Sequence, residues 1–161
     1  MPKITPWLWF DTEAEEAAQF YTSVFPNSKV REIVHYGSAG PRTEGMVMTV
    51  TFELDGREIA ALNGGPEFKF TEAISLEVQC EGQEEVDWYW SKLSEGGEEG
   101  PCGWLKDRFG VSWQIVPTAL TRLISDPDRE KSQRVMRAMF GMKKLDIEGL
   151  EQAAAQPSDG H

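Results

Sequence analysis

The chain has 161 residues, 40% of them hydrophobic, and its 16 lysines and arginines against 27 aspartates and glutamates leave a formal charge of −11. That length holds one domain or two small fused halves with a real core, and the acidic balance argues against nucleic acid or an anionic membrane as the main partner. No stretch reaches the ~18 apolar residues of a membrane span and the first residues lack the form of a signal peptide, so neither a membrane segment nor export is expected. Two cysteines, Cys80 and Cys102, fit a reduced cytoplasmic protein.

Residues 4–10 are apolar and β-prone, and Pro6 suits the opening of an edge strand. Thr12-Glu13-Ala14-Glu15 has the form of a capping box, in which the Thr hydroxyl caps a helix and the Glu reaches back. Ala14, Ala17, Ala18, Tyr21, Val24 and Phe25 then fall on one helical face, and Pro26-Asn27 ends it. Residues 28–37 are strand-like with imperfect alternation, and the polar Gly/Pro loop 38–45 has the composition of a mobile lid. Strands over 46–54 and 57–63 flank Asp55-Gly56, a pair suited to the two positive φ angles of a type I′ hairpin turn. Gly64-Gly65-Pro66 breaks the sheet, 67–72 reads as a linker carrying Phe68 and Phe70, and 73–80 is a further strand. A helix over 83–95 places Val86, Tyr89, Trp90 and Leu93 on one face and ends at Gly96-Gly97.

Residues 102–117, CGWLKDRFGVSWQIVP, read as a hairpin with arms 104–106 and 111–116 around Asp107-Arg108-Phe109-Gly110. In the second arm Val111, Trp113 and Ile115 point one way and Ser112, Gln114 and Val116 the other, so Gln114 is a polar residue in an apolar strand. Beyond Pro117 the pattern is helical. Thr118 is placed to cap a helix over 119–125, Asp126-Pro127 to start a second with Val135, Met136, Met139 and Phe140 inward, and Asp146 to cap a third. The two halves repeat: a shift of 69 residues lays Glu15-Glu16, Ala17, Phe20, Tyr21 and Val24 on Glu84-Glu85, Val86, Tyr89, Trp90 and Leu93. The expected fold is therefore α+β, two β-α-β-β-β units followed by helices. Its expected segments are a first unit over 1–66, a second over 67–117, a helical extension over 118–155 and a disordered tail over 156–161.

This duplicated plan resembles the vicinal oxygen chelate superfamily, the glyoxalase/bleomycin-resistance/dioxygenase fold. WFDTEAEEAAQFYTSVF leads it, and EEVDWYWSKL and the hairpin follow. Within the superfamily the chain is similar to the PhnB-like branch, labelled as a 3-demethylubiquinone methyltransferase domain, over about residues 4–150, including LNGGP and KKLDIEGLEQA. The resemblance implies cupped sheets and a homodimer, sometimes with swapped halves. It also implies a divalent metal held by His or Glu on the first and last strands of each unit. The matching positions here hold Pro6 or Trp7, Leu62 or Asn63, Ala73 or Ser75, and Gln114 where chelating members carry Glu. Neutral amides are weak ligands for such an ion, so no metal and no cofactor is expected. The methyltransferase label finds no Gly-rich strand-to-helix turn to support it.

Trp7, Asn63, Ser75, Trp104 and Gln114 are the candidate ligand-binding residues, and no catalytic residue stands out. Gln114 reads equally as a ligand anchor and as a buried amide serving the backbone, Asn63 more as a turn residue, and most tryptophans more as core or dimer interface. Glu53 is a carboxylate on a strand that could act as a base but more often would face water. Three readings follow: a metal-free small-molecule binding protein, a metal-dependent lyase, isomerase or dioxygenase, and a structural dimer whose cup is filled by its own side chains. The first is the preferred one.

Overall fold

A computed structural model describes residues 4–156. These fall into two compact units divided between Phe70 and Thr71. The tail expected over 156–161 lies, past Gln156, outside the described residues.

The first unit runs β1 (Trp7–Phe10), α1 (Ala14–Val24), β2 (Lys29–His35), β3 (Val47–Leu54) and β4 (Arg57–Asn63). Its sheet has the order β1-β4-β3-β2, with β1 parallel to β4 and the other pairs antiparallel. Asp55 and Gly56 turn β3 into β4 with φ of 50° and 79°, the two left-handed angles that the hairpin asks for. The imperfect alternation of β2 has a geometric source: its register against β3 slips between Val30 and Glu32 and again between Val34 and His35. α1 lays Ala14, Ala17, Ala18, Tyr21 and Val24 on a sheet face built from Phe10, Val50, Phe52 and Ile59, with the Tyr21 and Phe52 rings stacked at 6.3 Å. Small residues along the helix let it sit close, and the aromatic pair fills the far end. Phe68 and Phe70 pack edge-on against Trp9 and Phe10, at 4.9 and 5.2 Å.

The start of α1 departs from the sequence reading. No Thr12 cap forms, and the residue before the helix is Glu13, whose side chain does not cap it. The first N–H, that of Ala14, instead donates to Asn63 Oδ1 at 2.9 Å, from 49 residues away. A tertiary acceptor has displaced the local one, since only one group can satisfy a given orphan donor.

The second unit repeats the plan with β5 (Leu76–Cys80), α2 (Gln83–Ser94), β6 (Glu98–Glu99), β7 (Trp104–Lys106) and β8 (Ser112–Pro117), in the order β5-β8-β7-β6. β5 is parallel to β8, the counterpart of β1 and β4. The α2 face of Val86, Tyr89, Trp90 and Leu93 is buried as read from the sequence, and on the sheet Leu105, Trp113 and Ile115 are buried too. Cys80 closes β5 in full burial. That burial, with the Glu85 carboxylate adding to it, pushes the thiol from its usual 9.0 up to about 12. The folded protein therefore keeps this proton where the unfolded chain has lost it, and the associated stability, whole below pH 9.0, is lost as pH rises towards 12. Cys80 is expected to resist iodoacetamide in the folded protein at about pH 8 and to react only in denaturant; peptide mass spectrometry that finds it alkylated without denaturant would contradict this packing.

Three helices complete the second unit: α3 (Thr118–Ile124), α4 (Arg129–Phe140) and α5 (Ile147–Ala155). They share a core of Leu120, Leu123, Val135, Leu145, Leu150 and Ala154, which Val116 of β8 joins from the sheet side. Their caps differ from those expected. Pro117, not Thr118, precedes α3. Asp128, not Asp126, caps α4 by accepting from Glu130 and Lys131 N–H. Asp126 braces that cap, accepting from Asp128 N–H at 2.9 Å and pairing with Lys131 at 3.0 Å. At α5 the Ile147 N–H donates not to Asp146 but to Gln83 Oε1 at 2.8 Å, while Gln83 Nε2 donates to the Leu145 carbonyl at 3.1 Å. Phe140, expected inward, is 67% exposed at the last turn of α4. The helices are fastened to the sheet through backbone as well: Cys102 and Gly103 N–H donate to the Met142 and Lys143 carbonyls, both at 2.8 Å. Gly103 has φ +85°, and a Cβ there would stand 2.9 Å from both Leu145 and the Ile115 carbonyl, so this seam needs glycine.

Candidate functional site

The alternation of β8 decides which groups face outward. Its pairing sets Gln114 opposite Trp104 on one side and opposite Glu77 on the other, and Ser112 opposite Lys106, which pairs in turn with Glu98. These residues form two rows across the sheet face opposite α2. The hairpin between β7 and β8 that fixes this register turns on Asp107, which is 3% exposed. Its Oδ1 accepts from Phe109 and Val111 N–H at 2.8 and 3.1 Å, and its Oδ2 accepts from Trp113 Nε1 at 2.8 Å.

Above this sheet face lies an open cavity of about 780 Å³, within the span that holds drug-sized ligands. Trp104, Ser112, Gln114 and Val116 line it from the sheet. Leu120, Thr121 and Ile124 of α3 and Met139 and Phe140 of α4 form an opposing, mostly apolar wall. Among the described residues the rim is acidic: Glu72, Glu77, Glu98 and Glu99 against one lining cation, Lys106. Lys106 forms an ion pair with Glu72. The pair lowers the Glu72 carboxyl below its usual range and raises the Lys106 ammonium above its own, so both stay charged through neutral pH.

Of the candidate residues, the structure brings Ser75, Trp104 and Gln114 together. Gln114 Nε2 donates to Ser75 Oγ at 2.9 Å, and Gln114 and Trp104 are cross-strand neighbours in the cavity. Trp7 and Asn63 belong to the first unit and do not line it. Trp7 is 57% exposed on the edge strand β1. Asn63 is 2% exposed and has its amide committed: Oδ1 accepts from Ala14 N–H, and Nδ2 donates to the Val47 carbonyl at 2.9 Å. Its own carbonyl accepts from the Tyr36 hydroxyl at 2.6 Å. Glu53 is paired with Arg31. The 38–45 loop is pinned to its own unit, with Arg42 bonded to the carbonyl and carboxylate of Asp11. The Gly64-Gly65 turn serves packing, since a Cβ on Gly64 would stand 2.4 Å from the Trp9 ring and Trp9 Nε1 donates to the Gly65 carbonyl at 2.9 Å.

Sequence reasoning missed the carboxylates and the helical wall. Glu77 was legible in principle: a parallel pairing of the strand over 73–80 with the last arm of the hairpin places it beside Gln114. The wall residues carry no signal beyond helical periodicity, which reads equally as packing.

The donor set of the superfamily's metal positions does not fit a divalent ion. By the resemblance those positions fall on Pro6 or Trp7, Leu62 or Asn63, Ala73 or Ser75, and Gln114, none of them a carboxylate or an imidazole. Among the described residues no group of three or more His, Cys, Asp or Glu is gathered where it could hold a metal.

Two β-α-β-β-β units of one topology, one bearing a cup on its open sheet face, define a protein of the vicinal oxygen chelate fold. Within that class the chain belongs to the 3-demethylubiquinone-9 3-methyltransferase family, the PhnB-like branch, which it matches over residues 2–116. It is 40% identical to the PhnB protein from Bacillus cereus, which carries the same methyltransferase description, with a TM-score of 0.65 over 72% of this chain and 99% of that one. Protein PA1353 from Pseudomonas aeruginosa is 18% identical, with a TM-score of 0.62 over 73% of this chain and 98% of that one. The fosfomycin resistance protein FosX from Listeria monocytogenes, solved with manganese(II) and sulfate, shares the fold at 16% identity, with a TM-score of 0.51 over 71% and 92%. No curated protein matches the chain. The family match ends at residue 116, short of the span to about 150 that the sequence resemblance suggests, so α3, α4 and α5 with KKLDIEGLEQA lie beyond it and the cavity joins a family sheet to a wall from outside it. No helix among the described residues is long and apolar enough to cross a membrane.

Proposed function

We propose that this protein binds a small organic molecule in the cavity of its second unit, without a divalent metal, and acts there as a binding protein in the cytoplasm, as a homodimer. The observation that carries the reading is Gln114, bonded to Ser75 and lining a cavity of about 780 Å³. The chain spends a neutral amide where chelating members of the superfamily place a carboxylate, and faces it with apolar helix residues. Trp104 supplies a flat apolar surface, and Gln114, held by Ser75, a fixed polar anchor. The proposal makes no use of Trp7 or Asn63. A sulfate like the one bound in FosX suits this rim poorly, because four carboxylates repel an anion. The methyltransferase of the family name has no matching cofactor cradle, since the glycines beside the sheets serve turns and close packing.

Two measurements test the reading. Elemental analysis of the purified protein is expected to find less than about a tenth of an equivalent of zinc, nickel, iron or manganese, and a stoichiometric metal would restore the lyase, isomerase or dioxygenase reading. A thermal-shift screen of small aromatic and amphipathic compounds is expected to give saturable stabilisation, rising by about 2.7 kcal/mol at a ligand concentration one hundred times Kd. Gln114→Ala is expected to weaken a hit about tenfold, the worth of one good hydrogen bond. The absence of any saturable hit would favour the structural-dimer reading.

A further inference from the structure

We infer that the ligand of this cavity is an organic cation, an ammonium or amidinium carried on a flat apolar body. The inference rests on the small-molecule reading above and specifies its chemistry. Three observations point the same way. The first is charge: among the described residues Glu72, Glu77, Glu98 and Glu99 line the opening with Lys106 as the one cation, and Lys106 is paired with Glu72. A net negative mouth on a chain of charge −11 attracts cations and repels anions. The second is an unsatisfied group. The Ser112 hydroxyl belongs to a residue only 2% exposed and has no hydrogen-bond partner among the described residues, on the strand face that carries Gln114 into the cavity. A buried orphan hydroxyl costs on the order of 1–3 kcal/mol, and a bound N–H donor would remove that cost. The third is hydrogen-bond polarity. Gln114 donates one amide N–H to Ser75, and its carbonyl oxygen is a further acceptor beside it. Carboxylates, hydroxyl and amide oxygen thus present acceptors, and the indole of Trp104 offers a ring face of the kind that attracts cations. Leu120, Ile124, Met139 and Phe140 supply the opposing apolar surface for the body of the molecule.

The test uses one ring and three charges: 2-naphthylmethylammonium, 2-naphthylmethanol and 2-naphthoate, titrated calorimetrically into the full chain, with the indole N–H signal of Trp104 followed by NMR and assigned with Trp104→Phe. The ammonium is expected to bind at least about tenfold more tightly than the alcohol, to shift the Trp104 signal, and to lose most of that advantage between about 0.05 and about 0.5 M salt. The carboxylate is expected not to bind. In Glu77→Gln/Glu98→Gln the ratio between ammonium and alcohol is expected to collapse towards one. An alcohol or carboxylate that binds as tightly as the ammonium overturns the cation assignment and leaves the small-molecule reading standing. If none of the three binds, the cation inference fails, and the broader thermal-shift screen decides separately whether the reading it rests on fails too.

Discussion

Asp107→Ala is expected to cost about 3–5 kcal/mol and to abolish ligand binding with it. The carboxylate holds three donors in a nearly sealed site: two turn N–H groups and the Trp113 indole. Alanine removes the carboxylate that all three donate to, and a buried donor that loses its acceptor costs on the order of 1–3 kcal/mol. The hairpin also sets the register that puts Trp104 beside Gln114, so a loosened turn disperses the cavity floor. Asp107→Asn keeps one acceptor oxygen and sets an amide N–H₂ against a remaining donor, and is expected to recover only part of the loss. Urea denaturation followed by tryptophan fluorescence measures both. An unfolding free energy for Asp107→Ala within about 0.5 kcal/mol of the parent would show that the turn is held by something else.

Asn63→Ala is expected to destabilise the first unit by about 2–4 kcal/mol and to leave ligand affinity in the second unaltered. The side chain caps α1 by accepting from Ala14 N–H, and its Nδ2 donates to the Val47 carbonyl of β3, so a single amide ties helix to sheet. Removing it uncovers one donor and one acceptor and leaves a small void among core atoms. Stability and affinity, measured on the same variant, separate the roles. Unchanged stability with lost binding would return Asn63 to the ligand.

Much of the fold was legible because its signals are local. Asp55-Gly56 dictates its turn through two backbone angles, β4 spans the residues its sequence pattern marks, and the period-two alternation around Gln114 assigns the face of every residue in β8. The helical faces of α1 and α2 follow from periodicity, and the repeat follows from laying one half on the other. What was not legible is non-local. The Thr12 to Glu15 pattern satisfies every local criterion for a cap, yet Asn63, brought alongside by the parallel pairing of β1 with β4, reaches the donor first. α5 receives its partner from Gln83, 64 residues earlier, and Asp146 goes unused for the same reason. Phe140 reads as core by spacing but falls on the last turn of α4, where the neighbouring helices no longer cover it. The acidic rim needed the sheet itself, since Glu72, Glu77 and Glu98 come from separate segments and converge only through strand pairing. Of the five candidate site residues, Trp104 and Gln114, cross-strand neighbours on the hairpin, line the cavity and Ser75 bonds Gln114, while Trp7 and Asn63 lie in the other unit.

The backbone seam at Cys102 and Gly103 has an evolutionary consequence. It welds a segment outside the shared family sequence onto an inherited sheet, so that selection can retune what the pocket admits by altering helices that carry none of the ancestral strand geometry. Relatives that keep the same strands while ending in different appendages are then expected to diverge in ligand preference faster than in architecture.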